Sequence, residues 1–385
     1  MGQYCIPIEL LSLTPAPNSN EKLQSETLSQ LENIMNNNGI SCKAVASSMG
    51  PKALQFEFTL AAGTRLSVLK AKAKNIAEHL GVDNIIVTPV YEKTSTVRIS
   101  IPQSNRFSNG LRTALETTEF ETQKLLDSFI LGCNECGKTV VESLSKIQNL
   151  FITGTTGTGK TTFLFAMLVS LLYKVTSEDL KLILIDTSKI SFTLFNGIPH
   201  LLCPVITDEQ ESVNIFEWLH IEMEKRFKLL SMCGARTIEQ YNDIQTSIQN
   251  SRMPKILVIV DELNDIVSTN NSDIGEELYS LLRKGPFVGI HLVLSAQYID
   301  YATIKKYILP YTSSKISFAS APKGIGPYTK RIPGYKELSA PGEMLFLPNR
   351  STTPEWLQSY YISPKEINSI VTYLQEQASE LSKIH

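Results

Sequence analysis

One octapeptide restricts this chain more than any other feature: Gly154-Thr155-Thr156-Gly157-Thr158-Gly159-Lys160-Thr161. It fits G-x-x-x-x-G-K-[ST] and stands between an apolar run, Leu150–Thr153, and a helical pattern over Thr162–Tyr173. The glycines let the backbone curl so that successive amides face a phosphate. The helix that follows turns its positive dipole end to the same point. Lys160 suits the β- and γ-phosphates, and the Thr161 hydroxyl suits Mg²⁺. The expected nucleotide-binding set is Gly154, Thr155, Thr156, Gly157, Thr158, Gly159, Lys160, Thr161 and Thr162, with ATP and Mg²⁺ as the expected ligands. A plain glycine-rich turn is the alternative, and the strand–loop–helix setting argues against it.

Around this loop, apolar runs rich in β-branched residues alternate with longer helical patterns. The runs are Leu150–Thr153, Leu180–Asp186, Ile256–Asp261 and His291–Ser295, with further strands expected at 315–319 and 343–347. Continuous apolar strands separated by helices predict an α/β unit with a mainly parallel sheet covered on both faces. Asp261 and Glu262 close one of these strands, where burying two acids is costly unless they have a task. Asp261 is expected to hold Mg²⁺, and Glu262 to polarise an attacking water. Gln297, at the end of the next strand, is placed to sense a γ-phosphate. The expected catalytic set is thus Lys160, Glu262 and Gln297, and the expected metal ligands are Thr161 and Asp261. Asp186 and Lys189 end another strand and read equally well as structural, as do His200 and His291 beside apolar segments.

The first part of the chain has a different texture. Apolar residues at helical spacing predict a helix over Glu21–Asn37 and another over Leu66–Leu80, with Gly81 at its C′ position. Alternating runs predict strands at 42–47, 54–60, 85–90 and 97–101. This is the pattern of a small α+β domain, followed by a polar crossing segment from Asn105 to Gln123. The expected divisions are an N-terminal segment with a helix at 1–40, the α+β domain at 41–125, the α/β motor at 126–350 and a helical tail at 351–385. Ser363 and Pro364 read as the cap and first position of that tail helix.

Six cysteines in 385 residues make no disulfide framework, and Cys133-x-x-Cys136 stands alone without the second ligand pair that zinc needs. No apolar run approaches the ~20 residues that span a bilayer, and the start lacks a signal peptide or a myristoylation pattern. A cytoplasmic chain without membrane insertion is expected. Lys and Arg total 36 against 38 Asp and Glu, a formal net charge of −2. No basic excess announces nucleic acid, so any contact with it must come from local patches or backbone amides.

From 150 to 347 the residues resemble the motor domain of FtsK/SpoIIIE-type DNA translocases. The resemblance rests on Gly154–Lys160, Leu171–Lys174 followed by Glu178-Asp179, Ile198–Leu202, Glu222–Arg226, Val260–Glu262, Gly289–Leu294 and Gly342–Phe346. Pro89–Tyr91, Val97–Pro102 and the hairpin from Leu131-Gly132 to Gly137-Lys138 resemble the smaller domain ahead of that motor. The resemblance implies a homohexameric ring of RecA-like subunits that hydrolyses ATP between subunits and pumps double-stranded DNA through its channel. It maps the Walker residues onto Lys160, Thr161, Asp261 and Glu262, and the sensor glutamine onto Gln297. A mobile element, plasmid transfer or genome packaging is the expected setting, with other DNA-transfer or segregation proteins as expected partners. The alternative is a nucleotide-switched coupling ATPase that binds DNA or a partner without processive movement.

The pattern departs from the family's in three ways. Neither a membrane anchor nor a winged-helix domain is expected from the residues on either side of the motor. Gln297-Tyr298-Ile299 replaces the usual Gln-Arg-Pro. Pro286 and Ala321–Gly324 stand near places where the family carries arginines. Arg226, Arg283 and Arg331 are the candidate trans-acting fingers. Arg283-Lys284, Lys305-Lys306 and Lys323 are the candidate DNA contacts, solvated surface charge being the ordinary reading of each.

Overall fold

A computed structural model describes residues 6–13, 21–50, 53–61, 63–90, 95–102, 110–249, 251–267, 272–297, 308, 310–319, 338 and 341–384. The chain forms two compact units. The smaller comprises 14–109 and 133–139, and the larger 1–13, 110–132 and 140–385.

The smaller unit is an antiparallel sheet with two helices. Its strands are β1 (Cys42–Met49), β2 (Ala53–Leu60), β3 (Ile86–Pro89) and β4 (Thr96–Pro102), ordered β1-β2-β4-β3. Helix Glu21–Asn37 contributes Leu31 and Met35 to its core, helix Leu66–Leu80 contributes Leu69 and Ile76, and the strands contribute Phe56, Phe58 and Ile99. Gly81 ends the second helix with φ 70°, a left-handed value that favours glycine. The tip at 133–139 also belongs here. The Gln55 amide donates to the Glu135 carbonyl at 3.2 Å, and the Cys136 thiol donates to Gln55 Oε1 at 3.0 Å. Cys133 and Cys136 are therefore parts of a hairpin turn, in which the Asn134 carboxamide accepts from the amides of Cys136 and Lys138.

The larger unit carries nine strands: β5 (Ser128–Cys133), β6 (Thr139–Ser143), β7 (Leu150–Thr153), β8 (Leu180–Ile185), β9 (Lys255–Val260), β10 (Ile290–Ala296), β11 (Ser314–Phe318), β12 (Glu343–Leu347) and β13 (Glu355–Gln358). Their order is β6-β5-β13-β12-β11-β7-β10-β9-β8. The run β11-β7-β10-β9-β8 is parallel throughout, while β12 pairs antiparallel with both β11 and β13. β7, β9 and β10 are buried along nearly their whole length, as continuous apolar runs require. Register sets the ends of the strands side by side: Ala296 pairs with Thr153, Leu294 with Val260, and Ile185 with Val260. Glycine, glutamine and acids that follow these strands thus emerge along one edge.

The units differ from the expected divisions in three respects. Helix Glu21–Asn37 belongs to the smaller unit because its apolar face supplies that core. Residues 110–121 are two short helices of the larger unit, with Leu111, Ala114, Leu115 and Phe120 buried, and not a polar crossing. The tail helix, Pro364–Ile384, joins the larger unit and buries Ile367, Ile370 and Leu374. Its start is a capping box: the Ser363 hydroxyl accepts from the Glu366 amide, and the Glu366 carboxylate accepts from the Ser363 amide. Residues 6–13 lie on the larger unit as well. Leu11 is buried, Tyr173 Oη donates to the Pro7 carbonyl, Arg112 donates to the Leu11 carbonyl, and the Ser12 amide donates to Glu366.

Candidate functional site

Gly154 follows β7, and helix Lys160–Leu172 follows the loop. Gly157 has φ 78° with open space around it, so its requirement is conformational alone. Gly159 has φ 106°, and a Cβ there would lie 2.8 Å from the Gly342 amide nitrogen. That close approach is used, because the Gly342 amide donates to the Thr158 carbonyl at 2.8 Å. From the other side, the Thr155 amide donates to the Ala319 carbonyl at 3.0 Å. The loop is therefore braced by the end of β11 and the lead into β12.

The helix behind the loop has no side-chain cap. Its first amides have no intrahelical acceptors. The helices at 209–232 and 238–247 are different: Asp208 accepts from the amides of Gln210 and Glu211, and Thr237 from that of Gln240. An uncapped helix behind a left-handed glycine loop is a receptor for an anionic group. Lys160 adds a cation. Its ammonium is buried and donates to the carbonyls of Gly154 at 2.7 Å and Thr155 at 3.1 Å. Burial pulls its pKa below the ordinary lysine range, against the opposing pull of Glu262 and Asp261.

The acids follow β9, two strands from β7, with β10 and Gln297 between them. Burial raises the Asp261 carboxyl above its usual range. Burial raises Glu262 likewise, although it accepts the Gln297 amide at 3.1 Å. Among the described residues no ion pair joins either acid to a basic side chain. Two partly desolvated carboxyls that, among the described residues, join no ion pair, together with the Thr161 hydroxyl carried by the first turn of the helix behind the loop, are oxygen donors of the kind a hard divalent ion such as Mg²⁺ takes. Gln297 joins the two halves: Thr156 Oγ1 donates to its Oε1 at 2.7 Å while its amide reaches Glu262.

The structure thus brings Lys160, Thr161, Asp261, Glu262 and Gln297 to one edge of the sheet. It removes Arg226 from the candidate fingers. Arg226 is 3% exposed, is paired with Glu222 at 2.9 Å and donates to the carbonyls of Pro254 and Val288, so it serves the packing of its own helix. Leu219, Met223 and Leu230 fall on the same buried stripe, and that periodicity is the signal that marks position 226 as internal. Arg283 is exposed and donates to Tyr279 Oη, and Lys284 faces Glu224 at 3.7 Å. Arg331, Lys305, Lys306, Lys323, Tyr298, Ile299 and 321–324 lie outside the described residues. His200 and His291 are buried, donate a ring N–H to the carbonyls of Val175 and Gln148 respectively, and burial pulls each down to about 4. Sequence reasoning missed the brace that Ala319 and Gly342 place on the phosphate loop, because those residues are far from it in the chain.

Two family models match the chain. The FtsK/SpoIIIE family model covers residues 110–301, and that of the FtsK alpha domain covers 7–103. The chain is 30% identical over 380 residues to DNA translocase FtsK of Caldanaerobacter subterraneus subsp. tengcongensis, an alignment covering 98% of this chain and 53% of that protein. It is 29% identical to DNA translocase SftA of Bacillus subtilis, covering 98% of this chain and 40% of that one. It spans about half the length of the first of these relatives, 53% in one and 49% in another. Among solved structures, the pCW3 conjugation coupling protein TcpA, in monomer form with ATPγS, is similar with a TM-score of 0.57 at 17% identity, over 91% of this chain and 99% of that one. The cytoplasmic domain of the Thermomonospora curvata type VII secretion ATPase EccC is similar with a TM-score of 0.60 at 17% identity, over 70% of this chain and 34% of that one. At that identity these structures speak for the fold, a P-loop motor with a mixed sheet. No described helix is long and apolar enough to cross a membrane. Two matched family models, relatives aligned along nearly the whole chain, and a P-loop with its acidic pair on the same edge of one sheet lead to one conclusion: the chain belongs to the FtsK/SpoIIIE family.

Proposed function

We propose that the larger unit hydrolyses ATP and that the protein uses this to move double-stranded DNA through a ring of six copies. The observation that carries the reading is the uncapped loop–helix junction on the same sheet edge as two half-buried acids that, among the described residues, join no ion pair. The near full-length alignment with DNA translocases supports DNA as the cargo.

The roles follow from the geometry. Amides of Gly157 and of Gly159 through Thr162 receive the phosphates, and Lys160 leaves the carbonyls of Gly154 and Thr155 to bridge the β- and γ-groups. Thr161 and Asp261 hold Mg²⁺, which when bound neutralises charge on the β- and γ-oxygens. Glu262 takes the proton of the attacking water, and the raised affinity of its carboxyl for protons suits a base. Gln297 stands between loop and base. Thr156 occupies its Oε1, which leaves Nε2 to donate toward a γ-phosphate. A formal charge of −2 per copy does not oppose this, because a few basic residues repeated around a ring make a local field.

The test is ATPase turnover with and without long duplex DNA, with displacement of a third strand as the movement assay and sizing with ATP and DNA as the ring assay. DNA-stimulated turnover that weakens steeply with salt, displacement and a hexamer are expected. Turnover indifferent to DNA, with no displacement, overturns translocation. A Glu262→Gln protein with full biological activity would replace it by a nucleotide-switched coupling role.

A further inference from the structure

Gly342 has no part in the chemistry above, yet its amide donates to the Thr158 carbonyl at 2.8 Å. That oxygen belongs to the same peptide unit as the Gly159 N–H. A trans peptide is planar, so its oxygen and its N–H point in opposite directions. Holding the Thr158 oxygen against Gly342 therefore turns the Gly159 N–H away from Gly342. Among the described residues that N–H meets no acceptor, and it stands at the head of the uncapped helix Lys160–Leu172. The peptide at the other side of the loop is pinned in the opposite sense. Its N–H, that of Thr155, donates to the Ala319 carbonyl, and its oxygen, that of Gly154, accepts from Lys160 Nζ. The first unit keeps an N–H for an anion, and the second does not.

Gly342 is itself held from behind. Its carbonyl accepts from the Ser359 amide at 2.9 Å, just past β13, and Gln358 Nε2 donates to the Pro341 carbonyl at 3.1 Å. The place admits little but glycine. Its φ is 81°, a left-handed value, and a Cβ would meet Gln358 Nε2 and Ser359 Oγ. Gly159 is equally short of room, since its Cβ would lie 3.0 Å from Gly342 Cα. Two glycines thus pack backbone against backbone. A turn into β12 accounts for the φ of Gly342, but it does not account for an amide directed at the phosphate loop.

We infer that Gly342 is a positioning residue for nucleotide binding: its amide, anchored by the end of β13, fixes the Thr158–Gly159 peptide so that the Gly159 N–H faces an incoming phosphate. The inference rests on the reading of the loop at 154–162 as the phosphate receptor. A donor fixed before the ligand arrives need not be ordered when it binds, and affinity gains by that difference.

The experiment is calorimetric titration of the full chain with ATPγS, with the nucleotide-free melting temperature measured in parallel. Gly342→Ala cannot keep φ 81° without shifting, and the shift carries the amide off the Thr158 oxygen. Gly234→Ala is the control: φ there is 68° with open space around it, so alanine strains the backbone without touching the loop. Gly342→Ala is expected to bind ATPγS about 10-fold more weakly, the worth of one hydrogen bond to a charged group. Gly234→Ala is expected to bind like the wild type although it melts lower. Wild-type affinity in Gly342→Ala, or an equal loss in Gly234→Ala, overturns the inference. Should Gly342→Ala fail to fold, hydrogen exchange of the wild-type Gly342 amide carries the test. ATPγS should slow that exchange, and an unchanged rate overturns the inference. Lys160→Ala separates the two levels: wild-type ATPγS affinity in that variant overturns the reading of the loop, and the inference with it.

Discussion

Each end of β9 carries a lysine and two carboxylates, with opposite electrostatic outcomes. At the amino end, Lys255 Nζ lies 2.8 Å from Asp127, 2.6 Å from Ser145 Oγ and 3.1 Å from Glu239. Burial alone would raise both acids, but Lys255, helped by hydrogen bonds from Ser145 to Asp127 and Thr237 to Glu239, holds both below the usual carboxylate range. At the carboxyl end, Lys160 gives its protons to two backbone carbonyls, and burial wins over Asp261 and Glu262. The same three groups thus make a closed staple in one place and an open demand for charge in the other. What decides is whether the ammonium meets the acids directly. A site that must accept a phosphate and a cation leaves that contact unmade.

Breaking the carboxyl end should have the largest effect, and on turnover alone. Glu262→Gln is expected to slow ATP hydrolysis by about 10²–10⁴-fold with little change in melting temperature, and Lys160→Ala to abolish hydrolysis or nucleotide binding. Unaltered turnover in Lys160→Ala would refute the assignment. Breaking the amino end should do the reverse. Lys255→Met leaves Asp127 buried without its cation and should cost about 3 kcal/mol in denaturant unfolding. Hydrolysis per folded molecule should persist, and a selective loss of hydrolysis would erase the contrast between the two ends.

A smaller effect is read with pH. His291 lies by the amino-end cluster and His200 under helix 160–172, and burial pulls both down to about 4. Between the ordinary histidine value near 6.5 and that level the unfolded chain binds more protons. Stability is therefore complete above about 6.5 and declines as pH falls toward 4, by about 2 kcal/mol per histidine at pH 5. A melting temperature that does not drop between pH 7.5 and 5 would contradict this. The smallest change is Thr156→Ala, which frees the Gln297 amide to rotate. Turnover should fall roughly 3–10-fold with nucleotide affinity nearly unchanged, the size of one hydrogen bond.

How much of this was legible in the sequence depended on the range of the interaction. The loop, the strand ends and helix Glu21–Asn37 announce themselves through residues close together in the chain, and they stand where the patterns put them. Strand β13, Glu355-Trp-Leu-Gln358, carries no such signature. It exists because Met344 and Leu345 offer it an edge. Arg226 shows a second limit: a motif comparison suggested a reaching cation, while the apolar spacing of its own helix assigned it to the interior. Asp186 shows a third, since an acid at a strand end says nothing of the loop beyond it until the amides of Ser191 and Phe192 fold back to donate to it.

The strip at 6–13 has a consequence for how the protein is made. Its partners are Arg112, Tyr173 and Glu366, so the ribosome finishes them long after the strip has emerged, the last of them 354 residues after Ser12. The strip must wait through the synthesis of nearly the whole larger unit before its final contact can form. Contacts of such separation are slow to close. The larger unit is therefore completed only once Glu366 has been made, after the smaller unit, whose described residues end at 139, has had time to fold. A chain arrested before Glu366 should carry the phosphate loop and both acids with the tie from Ser12 still unmade.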